Sequence, residues 1–497
     1  MKKKLFMVIL LLCVTMAMAA YGKNAVMEAE EHEVAEAETW LTEADRCYEA
    51  GRKSLYGLDG TQINLEDAYT NFIKSQELGN TDANFYLGLL ADEYYNYPIQ
   101  NYKQARAYYE QCGDNPHAQI VLGLLYYWGN GVDEDKEKGK ELFQSAIEQG
   151  VTEGYYGYAV IMQYNDYETA LEYYNKVIEE GTEQFYIARA MCSIGDMYEW
   201  DRRLGRDYEK AAEWYIKAAD LGDKYAMREL GSMYAYGKGV EQDGAKAIEW
   251  YIKAADIGDT GALYSIGDMY MFGGGVEQDY DKAIEWYTKA ADLGHMDAMR
   301  RLATIYRYGN IYGYGEEEIQ PDYDKAVEWY TKLADLGDVN AMRTLGGIYR
   351  EGIGVKQDGE KALEWYAKAA DLSDAHAMCL IAYMYDDGIG VEQDYEKALE
   401  WYTKAANLGD IDSKIILGTK YRYGEGVEQD GEKAIEWYMD ALDKGSNIRY
   451  VWNYIAAMYR YGEGVEQDYD KAIEYYTKAA NLGDTSAKET LEELQRQ

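Results

Sequence analysis

The sequence predicts an all-α fold, an α/α superhelical solenoid of about twelve two-helix repeats, and three observations carry that expectation. One phrase recurs from residue 207 onward, its tryptophan falling at Trp214, Trp250, Trp286, Trp329, Trp365, Trp401 and Trp437, at steps of 36 residues broken by a single step of 43. Each copy holds two apolar stripes at helical spacing. Each then ends in a glycine-rich turn such as Tyr236-Gly237-Lys238-Gly239-Val240. A chain of 497 residues would otherwise suggest about three compact domains, and self-similarity at this period replaces that expectation with a stack of small units.

In the first helix of the copy at 279–294, Ala283, Trp286, Tyr287, Ala290 and Ala291 fall at i, i+3, i+4, i+7 and i+8, interleaved with Asp281, Lys282, Glu285 and Lys289. One face is therefore expected to be buried and the other wet. Asp279 is placed to accept backbone N–H groups at the helix start, and Gly294 to take the left-handed conformation at its end. In the second helix Ala298, Leu302, Ala303 and Tyr306 form the stripe, with alanines small enough for neighbouring backbones to approach. A single pair cannot bury its own stripe, so stability has to come from stacking on neighbours, with the ends capped. Following the alanine of Lys-Ala extends the array upstream through Ala68, Ala105, Gly139 and Ala170, and downstream to Ala472.

The repeated core, Lys-Ala-Ile-Glu-Trp-Tyr-x-Lys-Ala-Ala-Asp-x-Gly-Asp-x-x-Ala-Met-x-x-Leu-Gly-x-Met-Tyr-x-x-Gly-x-Gly-Val, resembles Sel1-like repeats, relatives of tetratricopeptide repeats. The likeness is strong over 207–485 and loose over 60–206. It implies a right-handed superhelix and an adaptor role in protein complexes, signalling or host contact, without naming a partner. The expected organisation is a signal peptide at 1–19, an acidic leader at 20–38, degenerate repeats at 39–206, regular repeats at 207–485 and a polar C-terminal cap helix at 486–497.

Lys2, Lys3 and Lys4, the apolar run from Leu5 to Val14, and Ala17-Met18-Ala19 read as a bacterial export signal cleaved after Ala19. Lipid attachment at Cys13 is the alternative, although Leu10-Leu11-Leu12 stand where a small residue is expected. The expected location is periplasmic or secreted, and no later segment has the apolar length of a membrane span. The net charge of −40, more negative still once three lysines leave, repels phosphate backbones. It excludes nucleic acid and favours a protein or peptide of basic character, or a glycan met by aromatic side chains. Cys47, Cys112, Cys192 and Cys379 obey no local spacing, so neither a disulfide framework nor a metal site is expected.

No constellation in the sequence points to catalysis, and no cofactor is expected. His32, His117, His295 and His376 belong to no metal or triad motif, and the carboxylates recur with the repeat as caps and charged faces. Asp133, Asp135 and Glu137 alternate like a calcium loop, but Lys138 and Gln144 occupy the positions that need Gly and Glu. Departures from the repeat are the better leads, because insertions in solenoids decorate binding faces. The long turn at 309–321 brings together Tyr312, Tyr314, Glu316, Glu317 and Glu318, and the segment 445–453 adds Tyr450 and Trp452. Aromatic rings beside carboxylates suit a basic peptide or a sugar face. Arg202, Arg203 and Arg206 form the one local basic cluster. The expected function is that of an exported, non-enzymatic scaffold binding protein or peptide through a curved, acidic, tyrosine-rich surface, its inner wall coming mainly from the first helices; a glycan or cell-wall binder is the alternative.

Overall fold

The computed structural model describes residues 43–56, 64–91, 102–200, 203, 205–309, 320–442 and 448–494. All of its regular structure among those residues is helical, in two compact units, residues 1–295 and 296–497. Unit 1 opens with α1 (Glu43–Tyr56) and continues through pairs formed by α2 (Leu65–Glu77) and α3 (Ala83–Ala91), α4 (Tyr102–Gln111) and α5 (Pro116–Trp128), and α6 (Lys136–Glu148) and α7 (Gly154–Met162). It goes on through α8 (Tyr167–Glu180) and α9 (Gln184–Trp200), α10 (Tyr208–Asp220) and α11 (Lys224–Tyr236), and α12 (Gly244–Asp256) and α13 (Thr260–Phe272), ending with α14 (Tyr280–Asp292). Unit 2 contains α15 (Met296–Tyr308), α16 (Tyr323–Asp335), α17 (Val339–Glu351), α18 (Gly359–Asp371), α19 (Ala375–Asp387) and α20 (Tyr395–Asn407). It closes with α21 (Ile411–Tyr423), α22 (Gly431–Leu442), α23 (Arg449–Tyr461), α24 (Tyr469–Asn481) and α25 (Thr485–Leu494). The alanine or glycine used to count repeats, from Ala68 to Ala472, falls once in each even-numbered helix through α24 and is buried every time.

The repeated Asp-x-x-Lys explains why each regular first helix starts where it does. Asp279 accepts the Lys282 backbone N–H at 2.9 Å, and its carboxylate also takes the Lys282 ammonium at 2.8 Å. The same cap and ion pair recur at Asp207, Asp243, Asp322, Asp394, Asp430 and Asp468. Second helices are capped by the aspartate of Leu-Gly-Asp, as where Asp338 accepts from Ala341 at 2.8 Å. The residue between, Gly337 for instance, has φ of +89°. Ser373 occupies that position once, at φ +65°, where a side chain is strained.

The glycine of Leu-Gly-x-Met-Tyr has a reason the sequence alone did not disclose. The first helix of the following pair lays its tyrosine ring there. A Cβ added to Gly231 would stand 2.6 Å from Tyr251, on Gly267 2.5 Å from Tyr287, on Gly346 2.4 Å from Tyr366 and on Gly418 2.6 Å from Tyr438. From residue 192 onward the buried apolar residues accordingly form small clusters, among them those around Tyr215, Tyr251, Tyr366 and Tyr438. Of the predicted stripe, Ala283, Tyr287, Ala290 and Ala291 are buried, but Trp286 lies at its half-buried edge with the Lys289 ammonium 3.9 Å from its ring centroid. Lysines cover the equivalent tryptophans Trp214, Trp250, Trp329, Trp365 and Trp401 at 3.7 to 4.2 Å.

Candidate binding site

Helix α5 is apolar along Val121, Leu124, Leu125 and Trp128, and with α7, α9 and α11 it walls a cavity of about 340 Å³. Tyr102, Tyr156, Phe185, Tyr186 and Tyr225 supply aromatic walls, and Asn130 and Arg189 supply the polar ones. Arg189 is held in place: its guanidinium lies 3.3 Å from Asp223 and 4.7 Å from the Tyr225 ring centroid. The cavity lies mainly on second helices.

Further along α9 the same face turns acidic. Tyr215 donates its hydroxyl to Asp196 at 2.8 Å and to Glu199 at 3.0 Å. Glu229 on α11 faces the same place, with Arg228 3.7 Å away. Burial pushes the Asp196 carboxyl up to about 6 and that of Glu229 up to about 7, with neighbouring carboxylates adding to both shifts. Two nearby cations, Arg189 and Arg228, are engaged by Asp223 and Asp259, the latter pair at 3.0 Å. Lys238 shows how this wall receives a cation. Its ammonium sits 3.9 Å from Glu199 and 5.7 Å from the Trp200 ring centroid.

Trp200 holds a position that recurs along the sequence. The second helices α5, α9, α11, α13, α15, α21 and α23 each end in an aromatic residue, Trp128, Trp200, Tyr236, Phe272, Tyr308, Tyr423 and Tyr461, and these keep 47 to 60% of their surface exposed. Glu351 and Asp387 hold that position on α17 and α19.

In unit 2 the charge behind four of the equivalent tyrosines reverses, whereas Tyr402 faces Asp386 and Asp387 as its unit 1 counterparts face carboxylates. Burial raises Tyr330, Tyr366, Tyr438 and Tyr476, but a guanidinium opposes the shift in each case: Arg307, Arg350, Arg422 and Arg460 in that order. Helix α21 adds two lysines with 6% of their side-chain surface exposed, Lys420 paired with Asp386 at 2.6 Å and Lys414 with Asp440 at 2.7 Å. Arg422 donates to Glu463 at 2.6 Å.

Of the residues singled out in the sequence, Tyr312, Tyr314, Glu316, Glu317 and Glu318 lie outside the described residues. Tyr450 and Trp452 are placed in different surroundings. Tyr450, 45% exposed, sits edge-on to Tyr454, whose ring also contacts Tyr438. Trp452 stacks on Tyr475 at 5.8 Å under Lys478 and is part of the packing. Arg203 donates to the Gln163 carbonyl at 3.0 Å, so it fastens a turn; Arg202 is outside the described residues. His117 lies against Phe85 and Tyr186, His295 stacks on Tyr264, and Asp135 caps α6. Among the described residues no three His, Cys, Asp or Glu side chains are grouped to hold a metal ion, and no helix is long and apolar enough to cross a membrane. The four cysteines described are free thiols.

The carboxylates at 196 and 229 escaped sequence reasoning because acidic residues are everywhere in this chain. A usable signal was the variable position of Leu-Gly-x-Met, which reads Asp196, Ser232 and Asp268 in unit 1 and Thr304, Gly347, Tyr383 and Thr419 in unit 2.

Comparison with known proteins agrees with the repeat architecture. The Sel1 repeat matches eleven stretches, at 81–112, 116–151, 154–181, 188–223, 224–259, 260–295, 297–338, 339–374, 375–410, 412–446 and 453–484. Among solved structures, the chain is similar to c5321, a protective antigen of uropathogenic Escherichia coli with an SLR fold, at 30% identity over 94% of this chain and 90% of that one, TM-score 0.39. It is also similar to a Sel1 repeat protein of Oxalobacter formigenes, at 29% identity over 65% of this chain and 90% of that one, TM-score 0.45. No match was found among curated proteins. With eleven such repeats along most of its length, the chain belongs to the Sel1 repeat family.

Proposed function

We propose that this chain is an exported, non-enzymatic scaffold that binds a protein or peptide of basic character through an acidic, tyrosine-rich solenoid surface. Sel1 repeat proteins generally bind proteins. The observation that carries the finer reading is the half-exposed aromatic residue that closes second helices within each unit, backed in unit 1 by carboxylates. Exposed Tyr and Trp give contact area with little loss of side-chain freedom. A net charge of −40 selects cationic partners and repels anionic ones. The basic, apolar, Ala-Met-Ala start supports export to the periplasm or the medium.

The test uses the purified chain from Ala20 as bait in extracts of the cell envelope and culture medium. The expected result is a protein retained at low salt and released at high salt, since exposed charge contacts are screened. The exposed aromatics also favour glycan binding as a second reading. Salt-resistant retention of envelope polysaccharide, with no protein captured, would replace the first reading by the second. Export is checked by the mass of the mature chain: a start at Ala20 supports it, and an intact Met1 in the cytoplasm overturns it.

A further inference from the structure

Resting on the protein-binding reading, we propose that the second-helix face of unit 1 takes an extended peptide segment, burying one apolar side chain in the cavity and setting a Lys or Arg side chain against Asp196, Glu199 and Glu229. The cavity and the carboxylates form one surface because the same helices build both. On α9, Phe185, Arg189, Asp196 and Trp200 follow at steps of four, seven and four residues, a single stripe. On α11, Tyr225 lines the cavity and Glu229 follows one turn later. The aromatic walls and a volume of about 340 Å³ suit one or two large side chains.

The second component is set by charge. An anionic residue would meet Asp196, Glu199 and Glu229, while Arg189 and Arg228 are already engaged by Asp223 and Asp259. A cation meets the half-buried Asp196 and Glu229 and the buried Glu199 beside the exposed rings of Trp200 and Tyr236, the setting in which Lys238 already rests against Glu199 and Trp200. Burial raises the carboxyls of Asp196 and Glu229, with neighbouring carboxylates adding to it, and a cation set beside them would oppose both causes. Asp196 lies about 10 Å along the helix from Arg189 and about 16 Å from Phe185. An extended strand covers those distances in about three to five residues, which fixes the spacing between apolar anchor and cation.

The experiment is fluorescence anisotropy of the purified full chain with a labelled Trp-Gly-Ser-Gly-Lys peptide, set against versions with Lys replaced by Glu and Trp replaced by Ala. Saturable binding is expected, weakened about tenfold or more by either replacement. The isosteric double variant Asp196→Asn/Glu229→Gln is expected to lose about tenfold toward the Lys peptide and nothing toward the Glu peptide, with circular dichroism unchanged. Val160→Trp, which fills the cavity, is expected to abolish the advantage of Trp over Ala. Equal binding of the Lys and Glu peptides, indifference to the double variant, or no saturation up to millimolar peptide overturns the site. If any of these occurs while the Ala20 bait still captures a salt-sensitive protein, the scaffold reading stands and this site falls. If the bait captures none, the scaffold reading falls itself.

Discussion

The tyrosines that the first helices bury against the second helices are equivalent in the two units, yet most of their hydroxyls meet opposite charges, Tyr402 of unit 2 being the exception beside Asp386 and Asp387. Tyr215 and Tyr287 donate to Asp196 and Asp268 in unit 1, whereas Tyr330, Tyr366, Tyr438 and Tyr476 lie within reach of Arg307, Arg350, Arg422 and Arg460 in unit 2. Cations of unit 2 are engaged within the protein, as Lys420 is by Asp386 and Arg422 by Glu463. Asp196 and Glu229 of unit 1 are raised instead, chiefly by burial, and Arg189 and Arg228 offset only part of the shift. One scaffold thus carries a structural charge network in unit 2 and a receptive one in unit 1. Neutralising a residue should have opposite signs in the two.

The largest effect is expected in unit 2. Lys420 occupies the place that Met233, Met269 and Met384 hold in other repeats, and its ammonium is satisfied by Asp386. Lys420→Met leaves that aspartate, 15% exposed, without its partner, and should cost about 3 kcal/mol. Adding Asp386→Ala should recover most of the loss, because removing both members of a buried pair is nearly neutral. Hydrogen exchange of α21 reads this locally, which suits a repeat array that need not unfold in one step. A double variant no better than the single would show that unit 2 does not depend on pairing.

Gly267→Ala should destabilise unit 1 by about 1–2 kcal/mol, the cost of overpacking less the gain in helix propensity. Tyr287 cannot retreat, being fully buried with its hydroxyl 2.6 Å from Asp268. At the equivalent Ala303 of unit 2 the methyl group is already present, and the following tyrosine, Tyr330, is 9% exposed. Ala303→Gly should cost the propensity term of about 1 kcal/mol together with the lost burial of one methyl group, about 0.8 kcal/mol, and relieve no clash. Thermal unfolding of both variants compares the two, and a gain in stability by either would break the distinction.

The opposite sign is expected at Glu229. Its folded carboxyl titrates at about 7, above the ordinary value of about 4.3, so the favourable protonated form is complete below the unfolded value and lost as pH rises through 7. Glu229→Gln should therefore stabilise unit 1 at pH 8 and leave stability unchanged at pH 4. The side chain keeps 28% of its surface in water, which limits the gain to about 1 kcal/mol. Denaturant midpoints at the two pH values check it, and destabilisation at pH 8 would place Glu229 among the paired charges.

The repeat, its period and both helices of each pair were legible because apolar spacing, aspartate caps and turn glycines all gave the same answer. Asp279 and Gly294 behave as their positions require. The candidate site was not legible. Phe185 and Tyr225 look like ordinary stripe residues until α5, α7, α9 and α11 are brought together around one cavity. Trp452 drew notice through its insertion, but stacking on Tyr475 makes it part of the packing. Periodicity locates the faces of helices, whereas a site depends on which faces meet and what charge is left over.

First helices sharpen the comparison by showing no such reversal. Lys289 covers Trp286 at 3.9 Å and pairs with Glu285 at 2.8 Å in unit 1, and Lys332 covers Trp329 at 3.8 Å and pairs with Glu328 at 3.0 Å in unit 2. Lys289→Met and Lys332→Met keep the apolar stem and remove the charge, and each should cost about 0.5 kcal/mol. Trp329 is 6% exposed and Trp286 about the edge of the stripe, so the contact at Lys332 is the better desolvated and its loss the larger. Melting curves at low and high salt separate the two contributions, because salt screens the exposed Glu–Lys pair more than the contact with the ring. Equal behaviour of the two lysines would confine the difference between the units to their second helices; a loss at only one would extend it to the first helices.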